Sequence, residues 1–231
     1  MSALRLVPRE IGTPLGPARV HVARPAAGTT VGAQTAGPAG TLLLGHGAGG
    51  GIAAADLQAV ARRALAQGWV VGLVEQPWRV AGRKVATPPA QLDLGWTAVV
   101  AGLDSGRGRL PRPFAFGGRS AGARVACRLA GPLGAVAVVA LGFPLHPPGR
   151  PERSRFDELA GALTAGLPVL IAQGERDAFG TPDEVRAALA GLRPAVRRRA
   201  VLAAVPGDHG LKGGAGAAAD AVEAFLADRP L

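Results

Sequence analysis

The stretch that decides the fold is FAFGGRSAGARVACRL, residues 114–129. It begins with a short apolar segment typical of a buried strand, and from Ala121 onward it has the composition of an amphipathic helix. Between the two lies Gly118-Arg119-Ser120-Ala121-Gly122, a G-x-S-x-G motif whose glycines leave room for a very tight turn. The stretch therefore predicts a strand, a sharp turn that presents the Ser120 hydroxyl above a sheet, and a helix.

Short apolar segments alternate with amphipathic segments on both sides of this stretch. The predicted strands cover residues 18–23, 41–44, 69–74, 114–117, 135–141, 168–172 and 200–205. The predicted helices cover residues 53–67, 90–103, the segment from about 120, 156–163, 183–192 and 217–227. Continuous apolar strands between helices are typical of a parallel sheet that is covered on both faces. We therefore expect an α/β fold with a mostly parallel central sheet and helices on both faces.

Two features of the amino-terminal part complete this prediction. Residues 18–23 alternate around two valines, which indicates an edge strand with His21 at the surface. Residues 26–40 are rich in glycine, alanine and threonine and are predicted to form a loop.

Composition limits the class of protein. The chain has 231 residues, of which 48% are hydrophobic and 18% charged, and this fits one folded domain over residues 1–231. The single cysteine excludes an internal disulfide. The first ten residues hold no signal-peptide core, and the longest apolar run, 135–141, is far shorter than the roughly 20 residues of a membrane helix. We expect a soluble cytoplasmic protein that does not bind membranes.

The formal net charge of +10 keeps a second class of function open. A basic surface attracts nucleic acid or acidic partners. The arginines are scattered, however, with Arg197–Arg199 as the only tight run, and no nucleic-acid motif is present. We therefore expect no nucleic-acid binding. A noncatalytic module whose basic surface binds an acidic partner stays as the alternative to an enzyme.

The loops after the predicted strands hold candidates for nucleophilic catalysis, because ligands of parallel sheets bind at the carboxyl ends of the strands. A serine hydroxyl needs a base to take its proton and an acid to orient that base. His209 follows the last predicted strand and Asp177 follows the strand before it. We predict that Ser120 is the nucleophile, His209 the base and Asp177 the acid. Glu175 and Asp208 are the second and third choices for the acid.

A tetrahedral intermediate also needs hydrogen-bond donors for its oxyanion. The backbone N–H of Ala121, at the amino end of the predicted helix, is the first candidate. The second comes from the glycine-rich loop Gly45–Gly51, with Ala48 as our choice and Gly47 next. His46 is expected to hold the turn of this loop. The loop lacks the residues of a nucleotide-binding motif, and the predicted chemistry requires neither a metal nor an organic cofactor.

Four residues that follow predicted strand ends are candidates for the substrate pocket: Trp78, Arg79, Phe143 and Phe179. Packing of these side chains beneath the loops is the alternative. Arg119 is expected either to recognise a negative group or to pair with Glu75. The segment between Leu141 and Pro168 is too short for a substantial lid, so we expect an open pocket.

The motifs HGAGG, GRSAG, GERD and DHG occur in the order of the α/β-hydrolase superfamily, which the chain resembles from about Thr41 onward. In finer detail, GGRSAGARVA, LGFPLHPPG and GERDAFG resemble a small lidless branch that includes the testis-expressed and NSL-complex-related proteins. This branch is distantly similar to dienelactone hydrolases, which use a cysteine nucleophile where this chain has Ser120. We expect its only cysteine, Cys127, to be a buried structural thiol.

The resemblance implies a carboxylesterase-like serine hydrolase that acts on a small-molecule acyl substrate. The physiological substrate, the choice between ester, thioester and amide, and the oligomeric state are not indicated by the sequence.

Overall fold

The computed structural model describes residues 4–26 and 38–227. In these ranges the strands are β1 Val7–Ile11, β2 Ala18–Ala23, β3 Gly40–Gly45, β4 Trp69–Glu75, β5 Phe114–Arg119, β6 Val138–Leu141, β7 Val169–Gly174 and β8 Ala200–Val205. The helices are α1 Ala55–Ala66, α2 Pro77–Val80, α3 Pro89–Leu103, α4 Ala121–Leu129, α5 Phe156–Thr164, α6 Pro182–Ala190, α7 Pro194–Arg197 and α8 Ala215–Ala227. Most of the loop predicted at 26–40 lies outside the described residues.

The strands form one eight-stranded sheet in the order β1-β2-β4-β3-β5-β6-β7-β8. β1 and β2 are antiparallel to their neighbours, and the other strands run parallel. The predicted α/β fold with a mostly parallel sheet is thereby confirmed. Gly45 of β3 pairs with Gly118 of β5, so the glycine-rich loop and the Ser120 turn leave the sheet side by side.

Apolar side chains cover both faces of the sheet. In β3, Leu43 belongs to a core cluster that includes Trp96 of α3, while Leu42 and Leu44 belong to a second cluster with residues of α1 and α8. Successive side chains of a strand point to opposite faces, so a strand buried on both faces must be apolar throughout. This requirement explains why the central strands are continuous apolar runs in the sequence.

The structure corrects the prediction at one edge of the sheet. β2 is not an edge strand, because it lies between β4 and the unpredicted strand β1. β1 has the sequence VPREI and is mostly exposed, so it lacks the apolar pattern by which the other strands were recognised. His21 is consequently half-buried, and its Nε2 lies 2.8 Å from a carboxylate oxygen of Glu75.

The helices match their predictions closely, apart from two short ones. α2 and α7 have four residues each, begin with proline and were not predicted. Between β6 and β7 the chain forms the single helix α5. No helix within residues 4–26 and 38–227 combines the length and the apolar character needed to cross a membrane.

Candidate active site

Ser120 occupies a strained turn between β5 and α4. Its φ of 54° and ψ of −110° lie in a region that residues other than glycine rarely adopt. The turn approaches the end of β3 so closely that a Cβ added at Gly118 or Gly122 would lie 2.5 or 2.3 Å from the Gly45 carbonyl oxygen. The two glycines of the motif are thus needed for the close approach of β3, the turn and α4.

The structure brings Ser120, His209 and Asp177 together, from the loops after β5, β8 and β7. His209 Nε2 lies 2.9 Å from Ser120 Oγ, and His209 Nδ1 lies 2.9 and 3.0 Å from the two carboxylate oxygens of Asp177. An ionised carboxylate only accepts, so Nδ1 donates to Asp177 and Nε2 is left to accept from the serine hydroxyl. This tautomer is the one that a general base requires.

The environment distinguishes the three candidate acids. Asp177 is only 1% exposed, whereas Glu175 and Asp208 lie at the surface. The Asp208 carboxylate accepts a hydrogen bond from Gly210 N within its own turn. Asp177 is therefore the acid that contacts His209.

Asp177 is held by donors on both of its oxygens. Oδ1 accepts from the Phe179 backbone N–H at 2.8 Å, and Oδ2 accepts from Gln173 Nε2 at 2.8 Å. The Gln173 side chain is fully buried, and its amide nitrogen also contacts the Phe143 and Gly180 carbonyl oxygens. Sequence reasoning missed Gln173, although a polar residue near the end of a buried apolar strand is a usable signal.

The Phe179 ring stacks on the His209 imidazole, with ring centroids 4.1 Å apart and planes at 29°. The ring is half-buried. In the structure it covers one face of the imidazole, and its predicted place in the substrate pocket stays a prediction.

His46 fixes the glycine-rich loop. Its Nδ1 donates to the Gly47 carbonyl at 2.9 Å, and its Nε2 accepts from the Gln76 backbone N–H at 3.3 Å. This pattern requires a neutral ring, and burial lowers the pKa of His46 accordingly, with the Gly47 hydrogen bond as a smaller opposing effect. His46 therefore has the turn-holding contacts that the sequence predicted.

The two candidate oxyanion donors differ in their surroundings. Ala121 is the first residue of α4, directly after Ser120. On the facing loop, a Cβ added at Gly47 would lie 3.4 Å from Ser120 Cβ. Gly47 is buried there, while Ala48 is exposed. The loop that carries Ala48 and Gly47 thus passes directly beside the serine.

Arg119 connects three parts of the site. Its Nε lies 3.1 Å from Asp56 Oδ2, and its Nη2 donates to the His209 carbonyl at 3.2 Å. Nη1 is 3.3 Å from the position that a Cβ of Gly47 would take. Of the two alternatives for Arg119, pairing with Glu75 is wrong, because Glu75 contacts Arg19 and His21 of β2.

Asp56, which sequence reasoning missed, lies at the start of α1 and is 1% exposed. Burial raises the pKa of this carboxyl, while the Arg119 charge acts in the opposite direction. An acidic residue in the first turn of a helix is too common to have signalled this contact in advance.

The other pocket candidates have different positions. Trp78 is buried and borders a small, mostly apolar cavity that Ala121 also lines. Arg79 is exposed and its guanidinium reaches the glycine-rich loop near Gly51. Phe143 is fully buried in the core cluster, so the prediction that it lines an open pocket is wrong.

The one cysteine, Cys127, is buried in α4, and burial raises the pKa of its thiol. Among residues 4–26 and 38–227, no group of three or more histidine, cysteine, aspartate or glutamate side chains is arranged to hold a metal ion.

The matching family and the similar solved structures agree with the fold described above. The chain matches the family described as alpha/beta hydrolase domain over residues 38–222. A search of curated protein sequences returns no match. An alpha-beta serine hydrolase homologue from Coxiella burnetii is similar in structure, with a TM-score of 0.76, 14% identity, and coverage of 98% of this chain and 99% of that chain.

Two further solved structures resemble the chain. A serine hydrolase without a lid from Xanthomonas campestris has a TM-score of 0.69 and 18% identity, covering 97% of this chain and 94% of that chain. A dienelactone hydrolase from Anabaena variabilis has a TM-score of 0.70 and 17% identity, covering 97% of both chains. At these identities the likeness is one of fold.

Proposed function

This chain belongs to the alpha/beta hydrolase family, and from that premise we propose that it is a serine hydrolase of ester or related acyl bonds. The observation that carries the proposal is the 2.9 Å contact between Ser120 Oγ and His209 Nε2. Serine at this position could instead have capped α4, but its side chain makes no capping hydrogen bond. The hydroxyl is directed to a base that a buried carboxylate orients.

In the proposed reaction Ser120 Oγ attacks the acyl carbon while His209 Nε2 accepts the hydroxyl proton. The tetrahedral intermediate collapses, its bond to the leaving alcohol breaks, and His209 returns the proton to that alcohol. Water then attacks the acyl-enzyme, again losing a proton to His209, and the carboxylic acid leaves as Ser120 regains its hydrogen. Asp177 stabilises the imidazolium at each step.

The proposed oxyanion donors are the backbone N–H groups of Ala121 and of the glycine-rich loop, at Ala48 with Gly47 next. The amino end of α4 offers an unpaired N–H and the positive end of the helix dipole. Loss of one such donor typically lowers kcat about 10²- to 10³-fold.

A carboxylesterase-like specificity is part of the proposal. Its support is the Ser120, His209 and Asp177 geometry, together with the names of the structural neighbours, which include serine hydrolases and a dienelactone hydrolase. Membership of the testis-expressed and NSL-complex-related branch is proposed on sequence motifs alone. The cytoplasmic location, the single domain and the absence of nucleic-acid binding stay predictions.

A fluorophosphonate probe tests the nucleophile. We expect it to label the native protein and to leave Ser120→Ala unlabelled, while the exposed Ser105→Ala variant is labelled as the native protein is. Hydrolysis of short-chain p-nitrophenyl esters should follow the same pattern. Equal labelling of Ser120→Ala would remove this serine from the mechanism. Labelling and turnover absent from the folded native protein would favour the noncatalytic binding module.

A further inference from the structure

A small cavity lies beside the amino end of α4. Its wall includes Ala121, which follows the proposed nucleophile, and Gly45 and His46, which begin the glycine-rich loop. Trp78 and Trp96 close it on the side of α2 and α3. The cavity therefore lies one residue from the proposed nucleophile and beside the residue whose N–H is a proposed oxyanion donor.

The cavity has a volume of ≈ 10 Å³. That is about the space that a single water-sized group requires, and a methyl group is of similar size. The surface that the cavity exposes is mostly apolar, with His46 and Gln76 as the polar residues of its wall. Its size and its mostly apolar surface therefore fit the methyl group of an acetyl ester better than a charged group.

The aromatic walls are fixed by packing. Trp96 is 0% exposed, and its ring meets that of Phe116 edge to face with centroids 5.5 Å apart. Trp78 is buried and meets the His46 ring in the same manner at 5.4 Å. Since packed interiors resist expansion, a longer acyl chain would have to displace one of these indoles.

Trp78 also borders a second, larger hollow. This hollow has a volume of ≈ 260 Å³, and Arg83 and Gln91 form part of its rim. Gln76 borders both spaces as well. The Trp78 indole thus stands between the small cavity and a space with room for several methylene groups.

We propose that the small cavity is the acyl pocket and that Trp78 and Trp96 restrict the substrate to acetyl and similarly short acyl groups. The inference rests on the proposed hydrolase function. It predicts that removal of the Trp78 ring joins the cavity to the larger hollow and admits longer chains.

Values of kcat/KM for p-nitrophenyl acetate, butyrate and octanoate test the inference. We expect kcat/KM of the native protein to be about tenfold or more higher for acetate than for octanoate. Even one methylene group that a pocket cannot hold lowers kcat/KM by about tenfold or more. Trp78→Ala should reduce this ratio at least about tenfold, mainly by gaining activity on octanoate. Gln91→Ala, at the rim of the larger hollow only, should keep the native ratio.

Trp78→Leu provides a smaller truncation if the alanine variant does not fold, and thermal unfolding identifies the folded variants. Equal activity of the native protein on acetate and octanoate would overturn the inference, as would a native ratio in a folded Trp78 variant. Absence of Ser120-dependent turnover on every ester would instead contradict the proposed function, and the inference with it.

Discussion

The aromatic ring of Phe179 provides a test of how the imidazole is positioned. Phe179→Leu removes the ring that stacks on His209. We expect kcat to fall about 2- to 10-fold with little change in KM, since a stacked ring pair contributes roughly 0.5–1.5 kcal/mol. Steady-state kinetics on an ester that the native protein hydrolyses measure both constants.

Phe179→Tyr keeps an aromatic ring at this position and should retain the native kcat. A rise in KM with unchanged kcat in Phe179→Leu would contradict the positioning role. That result would favour the substrate contact first expected from the sequence.

His46 makes the stability of the fold depend on pH. Burial lowers its folded-state pKa below the ordinary value of 6.5, so below pH 6.5 the unfolded chain binds the proton more readily than the folded chain. The contribution of His46 is therefore present above pH 6.5 and is lost as the pH falls. We expect the native free energy of unfolding, taken relative to His46→Gln, to rise with pH and level off above about 6.5.

Urea titrations of both proteins between about pH 5 and 8 provide this difference, in which the contributions of the other histidines largely cancel. A difference that is constant or that falls with rising pH would show that the His46 ring is not buried in the neutral form.

At the scale of single residues, the sequence allowed us to predict those site residues whose position follows from the order of the motifs along the chain. Asp177 was the first choice because it follows the strand before His209, and Asp208 ranked lower because side chains adjacent in sequence rarely face each other. Gln173 was missed although it is a polar residue in an apolar strand and lies only four residues before its partner Asp177. Asp56 could not be found from the order of motifs, because only folding brings its partner near. For Asp56 that partner is Arg119, which lies in a different element and far along the chain.

At the scale of elements, the close contact of β3 with α4 leads to a prediction about Gly122. A Cβ at Gly122 would meet the backbone of Gly45 at 2.3 Å, and backbone on a central strand cannot yield without moving the sheet. We expect Gly122→Ala to lower the free energy of unfolding by about 1–3 kcal/mol or more. Chemical denaturation measures it.

Gly161→Ala is the matched control, because this glycine is exposed in α5 and a Cβ there would meet nothing within 4 Å. We expect that variant to gain about 0.5–1 kcal/mol, as alanine favours the helix. Native stability in Gly122→Ala would contradict the proposed reason for the glycine in the motif.

Elements were predictable in proportion to how completely they are buried. β3, β5 and β7 are almost wholly buried and mostly apolar, and they were recognised within one or two residues of their bounds. β1 is mostly exposed and contains a proline and two adjacent charged residues, so nothing in its composition distinguishes it from a loop. Its pairing with β2 depends on tertiary contacts, which the local sequence pattern does not indicate.

For the whole molecule, the alternation of strands and helices was sufficient to predict the fold class. The order of the strands was not predictable, because parallel pairing joins segments far apart in the chain.

The positions of the charged side chains also depend on the fold. Arg124 and Arg128 of α4 both contact Glu158 of α5, and Arg128 also contacts Asp93 of α3. These arginines form ion pairs between helices on one face of the sheet.

Ser120 and His209 are 89 positions apart in the chain, and their contact needs the loop that follows β8. During synthesis the serine emerges from the ribosome long before its base. A nascent or truncated polypeptide that ends before position 209 therefore carries an unactivated hydroxyl. In the proposed mechanism, the serine can therefore react only after the loop that follows β8 has folded against it.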